Sequence, residues 1–266
     1  GQPSLGNAAF FAVGGYSLAI ALARYAVPFW PALLLALIAS AASGLLAGLP
    51  ALRVQGAYLA VVTLALVFIT QDLLGQYEAQ TVQASSLNVP RPSFLAGDTA
   101  FYYVTLGLAL LVLLLARNLL AGRGGRALVA LRESEPAATM LGVPAGRART
   151  MAFVLSAIVT GLAGALQALQ QGSVASSSFG LDLSVLLLGT VVIGGLGSLT
   201  GAVVGGCLVA GLSDLLRYKL PGTIGPIDVA SASPIVYSLL IIGAIALFPS
   251  GVAGALSRGA ASVEGQ

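Results

Sequence analysis

Apolar residues fall in long uninterrupted runs, and polar residues are confined to the short breaks between them. Phe29–Leu49, Tyr58–Leu74, Phe101–Leu120 and Met151–Leu169 are each near the ~20 residues that a helix needs to cross ~30 Å of hydrocarbon. None shows the apolar/polar alternation of a barrel strand, so each is read as a helix. Ala8–Ala23 and Ser233–Phe248 add two more segments. Leu183–Leu216 would be roughly 50 Å long as one helix, and Gly194-Gly195-Leu196-Gly197-Ser198 interrupts it. It is read as two segments, Leu183–Ile193 and Leu199–Leu216, broken inside the membrane. The pattern predicts an all-α, polytopic membrane bundle of about eight segments with broken or re-entrant helices, forming one transmembrane domain over residues 1–266.

Composition agrees. Hydrophobic residues make up 58% of the chain and charged residues 8%, against about a quarter charged in soluble domains. The lipid bilayer is therefore the first partner implied. The net charge of +3 is localised, and no basic stripe is interleaved with aromatics, which excludes nucleic acid. There is no histidine, and the single Cys207 lies in a Gly-rich apolar run, so no metal site and no internal disulfide are read. Gly1-Gln2-Pro3 is not preceded by a charged n-region, so no signal peptide is read, and a further helix before Gly1 stays open.

Five of the twelve basic residues, Arg123, Arg126, Arg132, Arg147 and Arg149, cluster in residues 122–149. The positive-inside rule puts this loop in the cytoplasm. Ala8–Ala23 then starts from the cytoplasmic side, Pro50–Gly56 with Arg53 is cytoplasmic, and Gln76–Ala100 and Gln170–Asp182 are external. Asp72, Glu78, Asp98, Asp182, Asp214 and Asp228 fall at span ends or in loops. An ion-coupled carrier keeps an ionisable group in mid-membrane, whereas this chain offers hydroxyls and amides there: Thr63, Ser156, Thr160, Gln167 and Thr190.

Glycines let membrane helices approach closely. Gly197, Gly201 and Gly205 read as a packing ridge, and Gly44 and Gly48 repeat the spacing, against either this chain's own helices or a second membrane subunit. Gly1–Asn7 and Gly194–Gly206 read as broken-helix segments on a solute pathway, although Gly1–Asn7 also fits an interfacial loop. Ser4, Asn7, Tyr58 and Thr63 are the candidate pathway residues.

The chain has no phosphate-binding Gly-x-x-x-x-Gly-Lys-Ser/Thr loop and no nucleophile elbow, so no catalytic residue and no cofactor is assigned to it. Within the basic island, Ser134 suits an N-cap, Pro136 a first turn, Glu133 and Glu135 the positive end of the dipole, and Gly142 a C′ position before Pro144. This predicts a two-turn helix over Glu135–Leu141 with small and apolar faces, either an ordinary surface helix or a docking element.

The sequence Gly125–Val143 (GRALVALRESEPAATMLGV) resembles the Glu-Ala-Ala-type coupling segment of ABC importer permeases. It is more narrowly similar to permeases of branched-chain amino acid importers. Gly1–Phe11, Leu49–Arg53, Gly56–Leu64 and Val191–Gly201 echo the same family. The resemblance implies that Arg132, Glu133, Glu135, Ala137, Ala138 and Gly142 couple the chain to an ATPase. It also implies two ATP-binding subunits holding ATP and Mg, a second homologous permease, a periplasmic solute-binding protein, and a bacterial inner membrane. Related systems carry urea, short amides or aromatic acids as well as branched-chain amino acids. A passive channel or ion-coupled secondary transporter is the alternative drawn from the broken Gly-rich helices, with a membrane scaffold or intramembrane enzyme behind it.

Overall fold

The computed structural model describes residues 4–51, 57–195 and 197–219, with the pairs 223–224 and 227–228. The apolar runs become helices α1 (Asn7–Ala23), α2 (Phe29–Ala51), α3 (Ala57–Tyr77), α4 (Asp98–Ala121), α7 (Ala145–Gln171), α8 (Leu181–Gly194) and α9 (Leu199–Lys219). Between α4 and α7 lie α5 (Arg123–Glu133) and α6 (Glu135–Met140). By length and composition, α2, α3, α4 and α7 are long and apolar enough to cross a membrane. The expected bundle is therefore all-α and polytopic, with seven apolar helices among the described residues. The span expected over Ser233–Phe248, the turn at Arg53 and the first three residues lie outside the described residues. Two-residue strands add little: β1 (Leu87–Asn88) pairs antiparallel with β2 (Ser173–Val174), and β3 (Thr223–Ile224) with β4 (Ile227–Asp228).

Two compact units are present, one ending at Ser184 and one beginning at Val185. The division falls inside α8, where nothing in the apolar run changes character.

In the first unit, α7 is the central helix, packed against α1 and α2 through small residues. A Cβ on Gly14 would overlap the backbone of Gly161, and one on Gly164 would overlap the carbonyl oxygen of Phe11. Gly44 sits against Ala157, and Gly48 lies 3.3 Å from Thr150 Cγ2 by the same measure. With so little hydrophobic drive between helices in lipid, this close approach supplies the packing energy. Gly44 and Gly48 thus pack within the chain. Phe10, Ala47, Leu59, Phe153 and Ala157 complete the core. By contrast, α4 has no buried residue.

The helix α1 begins opposite the middle of α3. Ala8 and Ala9 pack against Val67, the central residue of α3. At the other end, Tyr16 reaches Glu78, just beyond the last residue of α3. A helix starting at this depth must satisfy its first amides within the protein. The Leu5 N–H donates to Thr63 Oγ1 (3.1 Å), and the Ala8 N–H donates to Ser184 Oγ (3.3 Å), which in turn donates to the Leu5 carbonyl (2.7 Å).

The loop expected over Gln76–Ala100 is shorter than its sequence suggests, because α3 runs to Tyr77 and continues as a π-helical turn, Glu78–Val82, closed by Gln83 at φ 54°. Arg91 then holds the end of α7. Its guanidinium donates to the carbonyls of Leu169 (2.7 Å) and Gln170 (2.6 Å), pairs with Asp98 (3.1 Å), and lies over the Phe101 ring. A cation on the last carbonyls of a helix meets the negative end of its dipole.

In the second unit, α8 and α9 form a hairpin whose turn contains Gly195 at φ 112° and Gly197 at φ 81°. The helix α8 has 14 residues and rises ~21 Å, short of the ~30 Å hydrocarbon core. The break predicted at Gly194–Ser198 is therefore real. The ridge is shorter than expected. Gly201 and Gly205 pack on Gly194 and Thr190, whereas Gly197 precedes α9 and shapes the turn.

Candidate functional site: the basic end and its short helix

The connection from α4 to α7 is built almost wholly from helix. Gly122 turns the chain out of α4 with an extended conformation, and its carbonyl accepts from Arg126 N–H to start α5. The sequence pattern gave no helix over Arg123–Glu133, because its polar residues lacked the long apolar run used to find the others. It was legible instead as an amphipathic surface helix.

Ser134 separates α5 from α6 at φ −156°, ψ 106°, and its hydroxyl accepts from the Ala137 N–H at 3.5 Å. Pro136 lies in the first turn, where its missing N–H costs nothing. At the far end Gly142 has φ +85°, and two bonds close the helix: Gly142 N–H to the Thr139 carbonyl and Val143 N–H to the Ala138 carbonyl, each 3.0 Å. This pairing is the Schellman arrangement. A six-residue helix is marginal by itself; caps at both ends hold this one.

Gly142→Val forces a β-branched side chain into left-handed backbone with nothing nearby to hold it. We expect it to destabilise α6 by about 1–2 kcal/mol. Faster amide exchange over residues 135–142, with unchanged exchange in α7, is the expected readout.

The two faces of α6 differ. Ala138 is buried and Glu135 turns inward to Arg149. Pro136, Ala137 and Thr139 face outward, and Met140 and Leu141 are 88% and 85% exposed. Two large apolar side chains are thus presented at the basic end of the bundle. Arg132, Glu133 and Gly142 are also exposed. Thus the candidate coupling residues lie together, with Ala138 as the buried member. The sequence pattern missed one part of this site. Because α7 begins at Ala145 and not at Met151, Arg147 and Arg149 are helical, and Arg149 is buried in an ion pair with Glu135.

The four candidate pathway residues do not form one surface. Ser4 and Thr63 are occupied by local backbone: Ser4 Oγ accepts from the Gly6 N–H (3.2 Å), while Thr63 is 1% exposed and also donates to the Ala60 carbonyl (3.0 Å). Asn7 keeps a buried Oδ1 without a hydrogen-bond partner. Tyr58 is 78% exposed.

A polar face that the sequence pattern did not single out lies on α3. Gln71, Asp72 and Gln76 recur there at helical spacing beside Phe68, Gly75 and, in the π-helical end, Ala79, along a shallow open depression on this one helix. Gln76 Nε2 donates to Asp72 Oδ2 at 2.8 Å. Asp72 was placed at a span end, but α3 continues five residues beyond it. Glu78, also expected in a loop, is 5% exposed. Its carboxylate accepts from Tyr16 O–H (2.5 Å), Ser176 N–H (3.1 Å) and Ser176 O–H (2.6 Å). Three separate segments meet at this one side chain.

Residues 1–248 match the family described as branched-chain amino acid transport system / permease component. The chain is 33% identical over 241 residues to the high-affinity branched-chain amino acid transport system permease protein LivM of Salmonella typhimurium. It is 32% identical to the LivM protein of Escherichia coli over the same length. Each alignment covers 80% of this chain and 57% of the relative, so the chain spans little more than half the length of these relatives. No solved structure matches. With a helical membrane bundle, a capped helix at its basic end and a family match over nearly all its length, the chain belongs to the permease components of branched-chain amino acid transport systems.

Proposed function

We propose that this chain is the permease subunit of an ATP-driven ABC importer for branched-chain or other hydrophobic amino acids, or related small solutes, in a bacterial inner membrane. The observation that carries this reading is α6: a short helix, capped at both ends, with Met140 and Leu141 turned outward. Such a rigid element suits insertion into a groove on an ATP-binding partner. Two such partners bind ATP and Mg, a second related permease completes the membrane part, and a periplasmic solute-binding protein delivers the solute. The two LivM relatives, permease proteins of high-affinity branched-chain amino acid transport systems, support the solute class.

The solute's route follows the polar face of α3. An ionisable side chain inside a span faces a bundle interior or a water-filled cavity, and Asp72 with Gln71 and Gln76 gives such a face to the depression.

The test is uptake of radiolabelled leucine into proteoliposomes holding the permeases, the ATPase and the binding protein. Uptake is expected to require ATP, and M140D/L141D is expected to release the ATPase and lower uptake at least tenfold while the permease remains monodisperse. Leucine flux through liposomes containing this chain alone, with no ATPase, would instead establish a channel or ion-coupled carrier.

A further inference from the structure

The outward face of α6 explains how a partner could hold this helix, but not how a push on it would reach the membrane. Two short helices at a bundle end can simply yield when pressed. The inward face carries the answer.

Glu135 is the first residue of α6, and its carboxylate is in direct contact with the guanidinium of Arg149. The Arg149 side chain is only 9% exposed, while that of Glu135 is 34% exposed. Arg149 is the fifth residue of α7. An arginine withdrawn this far from water depends on a partner and hydrogen bonds for its charge. The pair is therefore costly to break, unlike an exposed ion pair.

What lies beyond Arg149 gives the pair its meaning. Thr150 and Phe153 contact α2 at Gly48, Ala157 meets Gly44, and Gly161 and Gly164 are in backbone contact with α1. Arg91 holds the far end of the same helix at Leu169 and Gln170. α7 is thus seated along its whole length, and Glu135–Arg149 is its charged connection to α6.

We infer that the Glu135–Arg149 pair is the mechanical strut of this permease, the positioning contact that converts displacement of α6 into movement of α7 and of the α1 and α2 helices seated on it. The inference rests on α6 being the ATPase-docking helix. Glu135 and Arg149 touch no solute; they act through α7. The guanidinium's planar fork resists shear better than a single-point ammonium contact, which suits a connection that must carry load in either direction.

The experiment uses the full complex in proteoliposomes, reading leucine uptake, ATP hydrolysis and ATPase association together. Arg149→Lys is expected to leave the ATPase bound and hydrolysing, and in it, as in Glu135→Gln, leucine transported per ATP is expected to fall about tenfold, within the usual range of inter-site coupling. The exchange variant E135R/R149E is expected to recover at least half of the wild-type ratio. A pair that merely staples the fold would lower the amount of assembled complex and leave the ratio of leucine to ATP unchanged, and this outcome overturns the inference. So does a swap that assembles but recovers nothing. Failure of the ATPase to associate with the wild-type chain would instead sink the docking assignment, and M140D/L141D run alongside separates these cases.

Discussion

Gly164→Val will abolish the packing of α1 on α7 and leave the detergent-solubilised protein without a cooperative thermal transition. The reason is geometric. A Cβ at this position would overlap the carbonyl oxygen of Phe11 and lie 2.8 Å from its carbonyl carbon. Those are backbone atoms of a facing helix, so no rotamer change relieves the overlap and one helix must move away. Overpacking a well-filled core typically costs about 1–3 kcal/mol. Here the shift would also separate Gly14 from Gly161 and Gly15 from Gly164, so a loss above ~3 kcal/mol is expected. Against a total stability of about 5–15 kcal/mol, that decides whether the unit folds. The matched control is Gly107→Ala in α4, where a Cβ would meet nothing within 4 Å. That change is expected to be neutral or to stabilise by up to ~1 kcal/mol. Size-exclusion profiles and thermal unfolding of the two variants give opposite results if the packing is as described; equal behaviour would show that the α1–α7 contact is not tight.

The second large effect is expected at Glu78. Glu78→Ala removes the acceptor for Tyr16 O–H, Ser176 N–H and Ser176 O–H at once. Tyr16 is 1% exposed, so its hydroxyl has no water to turn to. Bonds to a charged acceptor contribute about 1.5–3 kcal/mol each, and leaving a buried donor unpaired costs a similar amount. The loss is expected to exceed ~3 kcal/mol and to loosen three segments together: α1, the π-helical end of α3 and the loop before α8. Glu78→Gln behaves differently. Its amide oxygen still accepts from Tyr16 and the Ser176 N–H, and its NH₂ donates to a rotated Ser176 hydroxyl, so a loss of about 1 kcal/mol is expected. The ordering of thermal midpoints, wild type above Gln and Gln well above Ala, is the measurement. A Gln variant as unstable as Ala would show that charge, not the number of acceptors, holds the site.

The carboxylates show where sequence reasoning stopped. Asp72 was placed at the end of a span and Glu78 in the loop beyond it, because hydropathy falls after Leu74. The helix continues past them because backbone hydrogen bonding does not end where apolar residues do. What the carboxylate meets there, Tyr16 from 62 positions earlier and Ser176 from 98 positions later, is information about distant segments. Arg149 is similar. Counted with its neighbours as a topology charge, it is nevertheless buried beneath α6, because α7 starts six residues before the apolar run does. The pathway residues were chosen for polarity near breaks, yet a buried hydroxyl such as Thr63 is consumed by the backbone that the break exposes.

By itself the sequence determined the helical membrane class, the break at Gly194–Ser198 and the ends of α6. Each rests on local physics: the length of an apolar run, the φ freedom of glycine, and a cap that needs only neighbours within a turn. Only the tertiary structure decided the depth at which α1 begins, the burial of Glu78 and the union of Glu135 with Arg149. These depend on which helices face one another, and in a chain where almost every face is apolar, hydropathy cannot choose the partner. Steric fit between small residues makes that choice, and it exists only once the helices have met.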